Sequence, residues 1–248
     1  MQFQDVFREE RYYCNHFFRL LCEKLIESPR FSGLARVLEE LGIALPTDEE
    51  IQKAEIYTEV AVFRDVFAIA ADKTSFLEEL YDLFLPMMKS QYENLITQPV
   101  RPSVISNKLG YVHPSKYKDI IDEPDFERSD VLFYREMGAL FNAKPDYLIL
   151  LPHHSIWIEA KCSSAFSSSQ ISRMRNIGEL CTTKMFSLYF AGREPAIVLL
   201  GSKKRHARAQ KFENTRFLSW DKCAEISSDV FPTGTADITS RALAHVSA

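Results

Sequence analysis

The sequence predicts an α+β or α/β fold, a mixed central sheet flanked by helices, preceded by an all-α region. Three observations carry that expectation. Apolar residues recur at helical spacing through the first hundred positions, short apolar runs of strand length appear only beyond Ser129, and a stretch holding Pro99, Pro102, Pro114 and Pro124 lies between.

In the first part, Phe3, Phe7, Tyr13, Phe17, Leu20, Leu21 and Leu25 describe a long amphipathic helix. Ser28-Pro29 starts a second helix or a turn, with Leu34, Val37, Leu38 and Leu41 on one face and Gly42 as its stop. Thr47 to Glu50 has the spacing of a capping box. Two further helices are expected over 57–70 and 75–85, the second disturbed by Pro86. Residues 1–98 therefore form a helical region without strand signal or catalytic motif, left for specificity, dimerisation or partner docking. Residues 99–128 form an irregular connection, long enough to favour a part in substrate contact.

From Ser129 the order becomes helix, strand, strand, helix, strand, helix, strand. The helix over 129–142 carries Leu132, Phe133, Met137, Leu140 and Phe141 inward, with Glu136 on the same stripe. Two buried strands follow, 147–151 and 156–158, parted by Pro152-His153-His154-Ser155. A helix over 169–186, a central strand over 196–200, a basic run from Lys203 to Arg208, and a last strand over 215–220 complete the pattern.

The chemistry gathers at the ends of the hairpin. If His153 and His154 form the turn tip, Asp146 faces Lys161, Leu148 faces Glu159, and Ile158 and Ala160 point the other way. Asp146, Glu159 and Lys161 then share one face beside Trp157. Two close carboxylates repel and are costly to bury, and a hard divalent cation such as Mg²⁺ removes that cost. A lysine beside the metal can hold the attacking water and stabilise developing negative charge. The residues suggest metal-assisted hydrolysis of an anionic substrate, with a phosphodiester the natural candidate.

Pro145-Asp146, twelve intervening residues and then Glu159-Ala160-Lys161, set within hydrophobic runs, resemble the PD-(D/E)xK nuclease superfamily. The resemblance covers about residues 129–225 and implies a restriction-endonuclease-like core over 129–248. It implies an Mg²⁺-dependent deoxyribonuclease, Mn²⁺ substituting, of a bacterial restriction or phage-defence system. Asp146, Glu159 and the Ala160 carbonyl would ligate the metal, and Lys161 would orient the water. Glu136 stands where relatives supply a further acidic residue, or else reaches out to water, and Gln170 either faces the site or simply starts a helix. A homodimer is expected when both strands are cut. Replacing Lys161 by Ala is expected to stop cleavage and leave the fold largely intact. The alternatives are a repair, recombination or RNA nuclease of the same fold, or a catalytically quiet nucleic-acid-binding or assembly subunit.

Charge agrees with a polyanionic substrate. The net charge is −4, yet residues 1–100 hold 10 Lys/Arg against 18 Asp/Glu, while 161–216 hold 11 against 3. Lys203, Lys204, Arg205, Arg208 and Lys211 are the expected contacts to DNA phosphates, although a basic run can also be a solvated helix face. The acidic helical region could dock a protein partner. Five widely spaced cysteines, no Cys-x-x-Cys pair, no signal segment and no apolar run of about 18 residues point to a cytoplasmic protein without zinc or disulfides. No P-loop or Gly-x-Ser-x-Gly elbow is present. His153 and His154, at a turn tip, are read as exposed rather than as ligands.

Overall fold

The computed structural model describes residues 10–23, 32–93, 95–109, 112–117, 126–162, 164–231 and 235–245. Two compact units interleave along the chain. The first takes the described residues up to Thr58, Asp146–Ile171, and those from Gly192 onward; the second takes Glu59–Pro145 and Ser172–Ala191. Among the described residues no helix is long and apolar enough to cross a membrane.

The first unit is built on a five-stranded mixed open sheet with helices, the α+β mixture the sequence predicts. β1 (Glu55–Thr58), β2 (Tyr147–Leu150) and β3 (His154–Ala160) are successively antiparallel. β4 (Glu194–Gly201) and β5 (Thr215–Ser219) then continue parallel to β3. One face of the sheet presents Tyr147, Ile149, Ile156, Ile158, Ala160, Val198, Leu200 and Leu218 to the main core. Helices α1 (Glu10–Cys22) and α2 (Ser32–Glu40) fill that core with Phe17, Leu20, Leu21, Leu34 and Leu38, as the apolar stripes of both segments require. On the other face a smaller cluster joins Phe166, Ile171, Leu199 and Ala209, with Phe212 and Phe217 against it.

Local signals act as their chemistry demands. At the end of α2, Gly42 takes φ +62, the left-handed conformation that favours glycine, and Ile43 N–H returns to the Leu38 carbonyl at 3.0 Å. α3 (Asp48–Gln52) opens with the expected capping box: Thr47 N–H donates to Glu50 Oε2 at 2.8 Å, and Glu50 N–H to Thr47 Oγ1 at 3.3 Å. Phe3, Phe7, Leu25 and Ser28-Pro29 lie outside the described residues.

Two expectations are corrected. The N-terminal region is not all-α, because residues 55–58, partly assigned to a helix, form β1. Its four residues are mostly exposed at the sheet edge, so no apolar run announces it; the strand exists because β2 offers a free edge, with Tyr57 paired to Leu148. The helix that follows is α4 (Val62–Ile69). Pro86 also fails to end its helix, for α5 runs Lys73–Gln91 straight through it. A helix-interior proline costs about 3 kcal/mol. Burial of Leu77, Leu80, Tyr81, Phe84 and Met88 offsets that cost, and Asp82 and Pro86 both face solvent, where water can serve the freed carbonyl.

The second unit comprises α4, α5, α6 (Pro102–Leu109), α7 (Arg128–Asn142) and the chain from Ser172 to Ala191. Its interior is aromatic: Phe63 meets Phe186 at 4.9 Å between centroids, Phe67 meets Phe141 at 5.5 Å, and Tyr81 meets Phe133 at 5.1 Å. The connection over 99–128 is thus helical in part, with Pro124 outside the described residues. α8 (Ser168–Cys181) stops short of the expected 186 because the Thr182 and Thr183 hydroxyls donate back to the Glu179 and Leu180 carbonyls. Beyond β5, α9 (Trp220–Val230) and α10 (Thr235–His245) close the chain.

Candidate active site at the ends of the central strands

The hairpin register differs from the expected one by two residues. Tyr147 pairs with Ile158 and Leu150 with Ser155, and Leu151 N–H reaches the His154 carbonyl at 2.9 Å. The turn tip is therefore Pro152-His153. Proline, with φ preset and no N–H to give a ladder, suits the second position of a turn better than a paired one. Extended by one residue, the observed register sets Asp146 across from Glu159 rather than Lys161. A two-residue shift leaves every side chain on its face, so Asp146, Glu159 and Lys161 still belong to the face opposite Ile158 and Ala160.

Each of the three is positioned by named contacts. Asp146, half-buried just before β2, accepts the Ala160 N–H on Oδ2 at 2.6 Å. In an extended strand the carbonyl of a residue lies on the same side as its N–H. The Ala160 carbonyl therefore also faces the Asp146 side of β3. Glu159 is 2 % exposed, and its Oε1 lies 2.5 Å from Lys161 Nζ and accepts the Gln170 side-chain amide from the first turn of α8. Lys161, its side chain 14 % exposed, is held by the backbone at both ends: its N–H donates to the Leu200 carbonyl at 2.8 Å, and its carbonyl accepts the Trp220 indole N–H at 3.1 Å. Trp157, on the same face as Glu159, is fully buried and donates to Ser155 Oγ at 3.1 Å. A nearly buried carboxylate thus holds its charge through an ammonium and an amide donor.

Other expected residues fall elsewhere. Glu136 sits half-buried on α7 in the second unit and pairs with Arg173 at 3.4 Å, which supplies the partner its place on an apolar stripe demands. His153 is exposed at the turn, 3.7 Å from Glu50, and His154 begins β3. Lys203, Lys204, Arg205 and Arg208 occupy short helical turns after β4, with Lys211 exposed just beyond. Arg205 donates to the Ser164 carbonyl. Together with Ala165 and Ser202, Lys204, Arg205 and Arg208 line a cavity of about 380 Å³. Sequence reasoning missed Trp220 and Ser202; Trp220 reaches Lys161 across 59 positions, and no local pattern signals such a contact.

Among the described residues no group of three or more His, Cys, Asp or Glu is placed to bind a metal, so a cation here would rely on two carboxylates and a backbone carbonyl. That donor set, all oxygen, fits Mg²⁺, which uses one or two protein carboxylates and keeps several waters or substrate oxygens. Burial raises the pKa of Cys22, Cys181 and Cys223, which disfavours thiolate chemistry at those three. Compared with family models, curated proteins and solved structures, the chain finds no match.

Proposed function

We propose that this chain is a metal-dependent nuclease of the PD-(D/E)xK, restriction-endonuclease-like class, hydrolysing DNA phosphodiester bonds. The observation that carries the reading is the convergence of Asp146, Glu159 and Lys161 on one face at the ends of β2 and β3, with Glu159 and Lys161 in direct contact. The order of elements supports it: helix α7, the antiparallel pair β2–β3, helix α8 and the parallel strand β4, with β1 as the third antiparallel strand.

Asp146, Glu159 and the Ala160 carbonyl would hold Mg²⁺ or Mn²⁺, which would supply charge neutralisation and a bound water of lowered pKa. The protein's own part is to keep Lys161 Nζ in place beside Glu159 as donor to the attacking water and to charge building on the phosphate. The water oxygen bonds to phosphorus and the bond from phosphorus to the 3′ oxygen breaks, leaving 5′-phosphate and 3′-hydroxyl ends. Gln170 orients Glu159 through its amide. Glu136 has Arg173 as its cationic partner, and the reading does not depend on it. The role is that of an endonuclease in bacterial restriction or phage defence, working in the cytoplasm as a homodimer where both strands are cut.

The test is incubation with plasmid, linear duplex, single-stranded DNA and RNA, with Mg²⁺ and with chelator. Discrete bands that need the metal support a restriction enzyme. Nicking, a smear or loss of RNA selects a repair or RNA nuclease of the same site. Binding without cleavage of any substrate leaves a quiet nucleic-acid-binding subunit and sinks the proposal.

A further inference from the structure

The cavity that follows β4 has a chemistry of its own. Among the described residues its lining is Ala165, Ser202, Lys204, Arg205 and Arg208, three cations and a serine. Ser202 is 8 % exposed, so the hydroxyl side chain is built into the wall rather than carried on the surface. Three cations around one hollow raise the local positive potential and favour an anion seated among them. Arginine forks and a lysine ammonium are the groups that grip phosphate oxygens.

The sheet fixes where the hollow lies. β3 and β4 run parallel, with Glu159 paired to Leu199 and Ala160 to Leu200, so Lys161 and Ser202 leave neighbouring strands at the same edge. Leu199 and Gly201 share the face of Glu159, and Phe166 packs there. A Cβ on Gly201 would stand 3.1 Å from the Phe166 ring, so this glycine lets the chain after β3 close onto β4. Arg205, donating to the Ser164 carbonyl, ties the same chain down.

We propose that this cavity is a phosphate subsite, in which Lys204, Arg208 and the Ser202 hydroxyl hold one phosphate of a nucleic-acid strand while Arg205 braces the wall. That the phosphate belongs to a strand being cut rests on the nuclease reading; the phosphate chemistry does not. The subsite divides the basic run, because Lys203 and Lys211 do not line the hollow.

The experiment compares the full chain with two double variants, Lys204→Ala/Arg208→Ala and Lys203→Ala/Lys211→Ala, by fluorescence anisotropy with a labelled oligonucleotide over a salt series. Thermal unfolding checks that both variants fold. The first double should bind roughly tenfold or more weakly, with a salt slope shallower by roughly one. The second should change by less than about threefold. Inorganic phosphate and pyrophosphate should displace the oligonucleotide from the parent protein, and a methylphosphonate strand should not compete. A 5′-phosphorylated strand competing far better than an unphosphorylated one makes the gripped group terminal; equal competition makes it internal, and either supports the subsite. Equal losses in the two doubles would mean a diffuse basic field, and no loss in the first would mean no contact; both overturn the proposal. If these binding results hold but no substrate is cleaved, the nuclease reading falls and the subsite stands.

Discussion

The two units solve the problem of burial differently. The second is an aromatic interior, where Phe63 meets Phe186, Phe67 meets Phe141 and Phe133 meets Tyr81 ring edge to ring face, and the ion pairs, such as Glu136 with Arg173, keep partial contact with water. The first buries Glu159 at 2 % exposure next to Lys161 and shapes a sheet edge around them. Packed rings contribute area and tolerate no chemistry. Asp130, 4 % exposed in the second unit, caps the Val100 and Glu127 N–H groups, whereas Glu159 is held by a lysine and a side-chain amide, an arrangement that adds little to stability over an apolar pair. That contrast is the physical ground for looking to the first unit for function.

Lys161→Met should break the contrast most. Cleavage should fall by roughly 10²–10³-fold, and because Glu159 is left without its cation, stability should fall by about 3–5 kcal/mol. The ion pair means that the simple alanine replacement suggested by the sequence would not leave the fold untouched. Pairing the change with Glu159→Gln should recover most of the stability and none of the activity; a double variant as unstable as the single would show that the ion pair is not what holds Glu159. In the second unit, Phe133→Ala should cost about 3–5 kcal/mol by cavity formation, read by denaturant melts, with cleavage per folded molecule unchanged. A drop in specific activity would make the aromatic unit part of the chemistry.

The smallest effect concerns His113, whose pKa is lowered, first by burial and then by Arg64, Lys116 and Lys73. Its Nδ1 accepts the Ser115 N–H at 3.2 Å, which needs the neutral ring. With the folded value below the ordinary 6.5, the unfolded chain takes up the proton first. The stability that His113 contributes is full above pH 6.5 and declines as the pH drops below it. His113→Asn, which keeps an acceptor, should flatten that decline; an unchanged slope would assign it to other groups.

The acidic site was legible because its three residues fall within 16 positions and strand alternation depends only on parity. The turn was misplaced by one residue, which shifts the pairing by two, and the face survived. β1 was illegible for the opposite reason, since Tyr57 becomes a strand residue only through Leu148, far along the chain. Pro86 misled because its local cost is outweighed by core contacts that spacing alone does not weigh. The basic run was visible as composition, but which of its members line a cavity depends on the chain after β3, with Phe166 over Gly201 and Arg205 tied to Ser164.

Asp146→Asn is the most direct test. Asparagine keeps the size and a carbonyl oxygen for the Ala160 N–H, so the fold should hold, while the loss of charge removes a metal ligand. Plasmid cleavage in Mg²⁺ and thermal unfolding would be measured on the same preparation. The account predicts an unfolding temperature within a few degrees of the parent and cleavage reduced by roughly 10²-fold or more. A variant that unfolds with the parent and cuts as fast would contradict it.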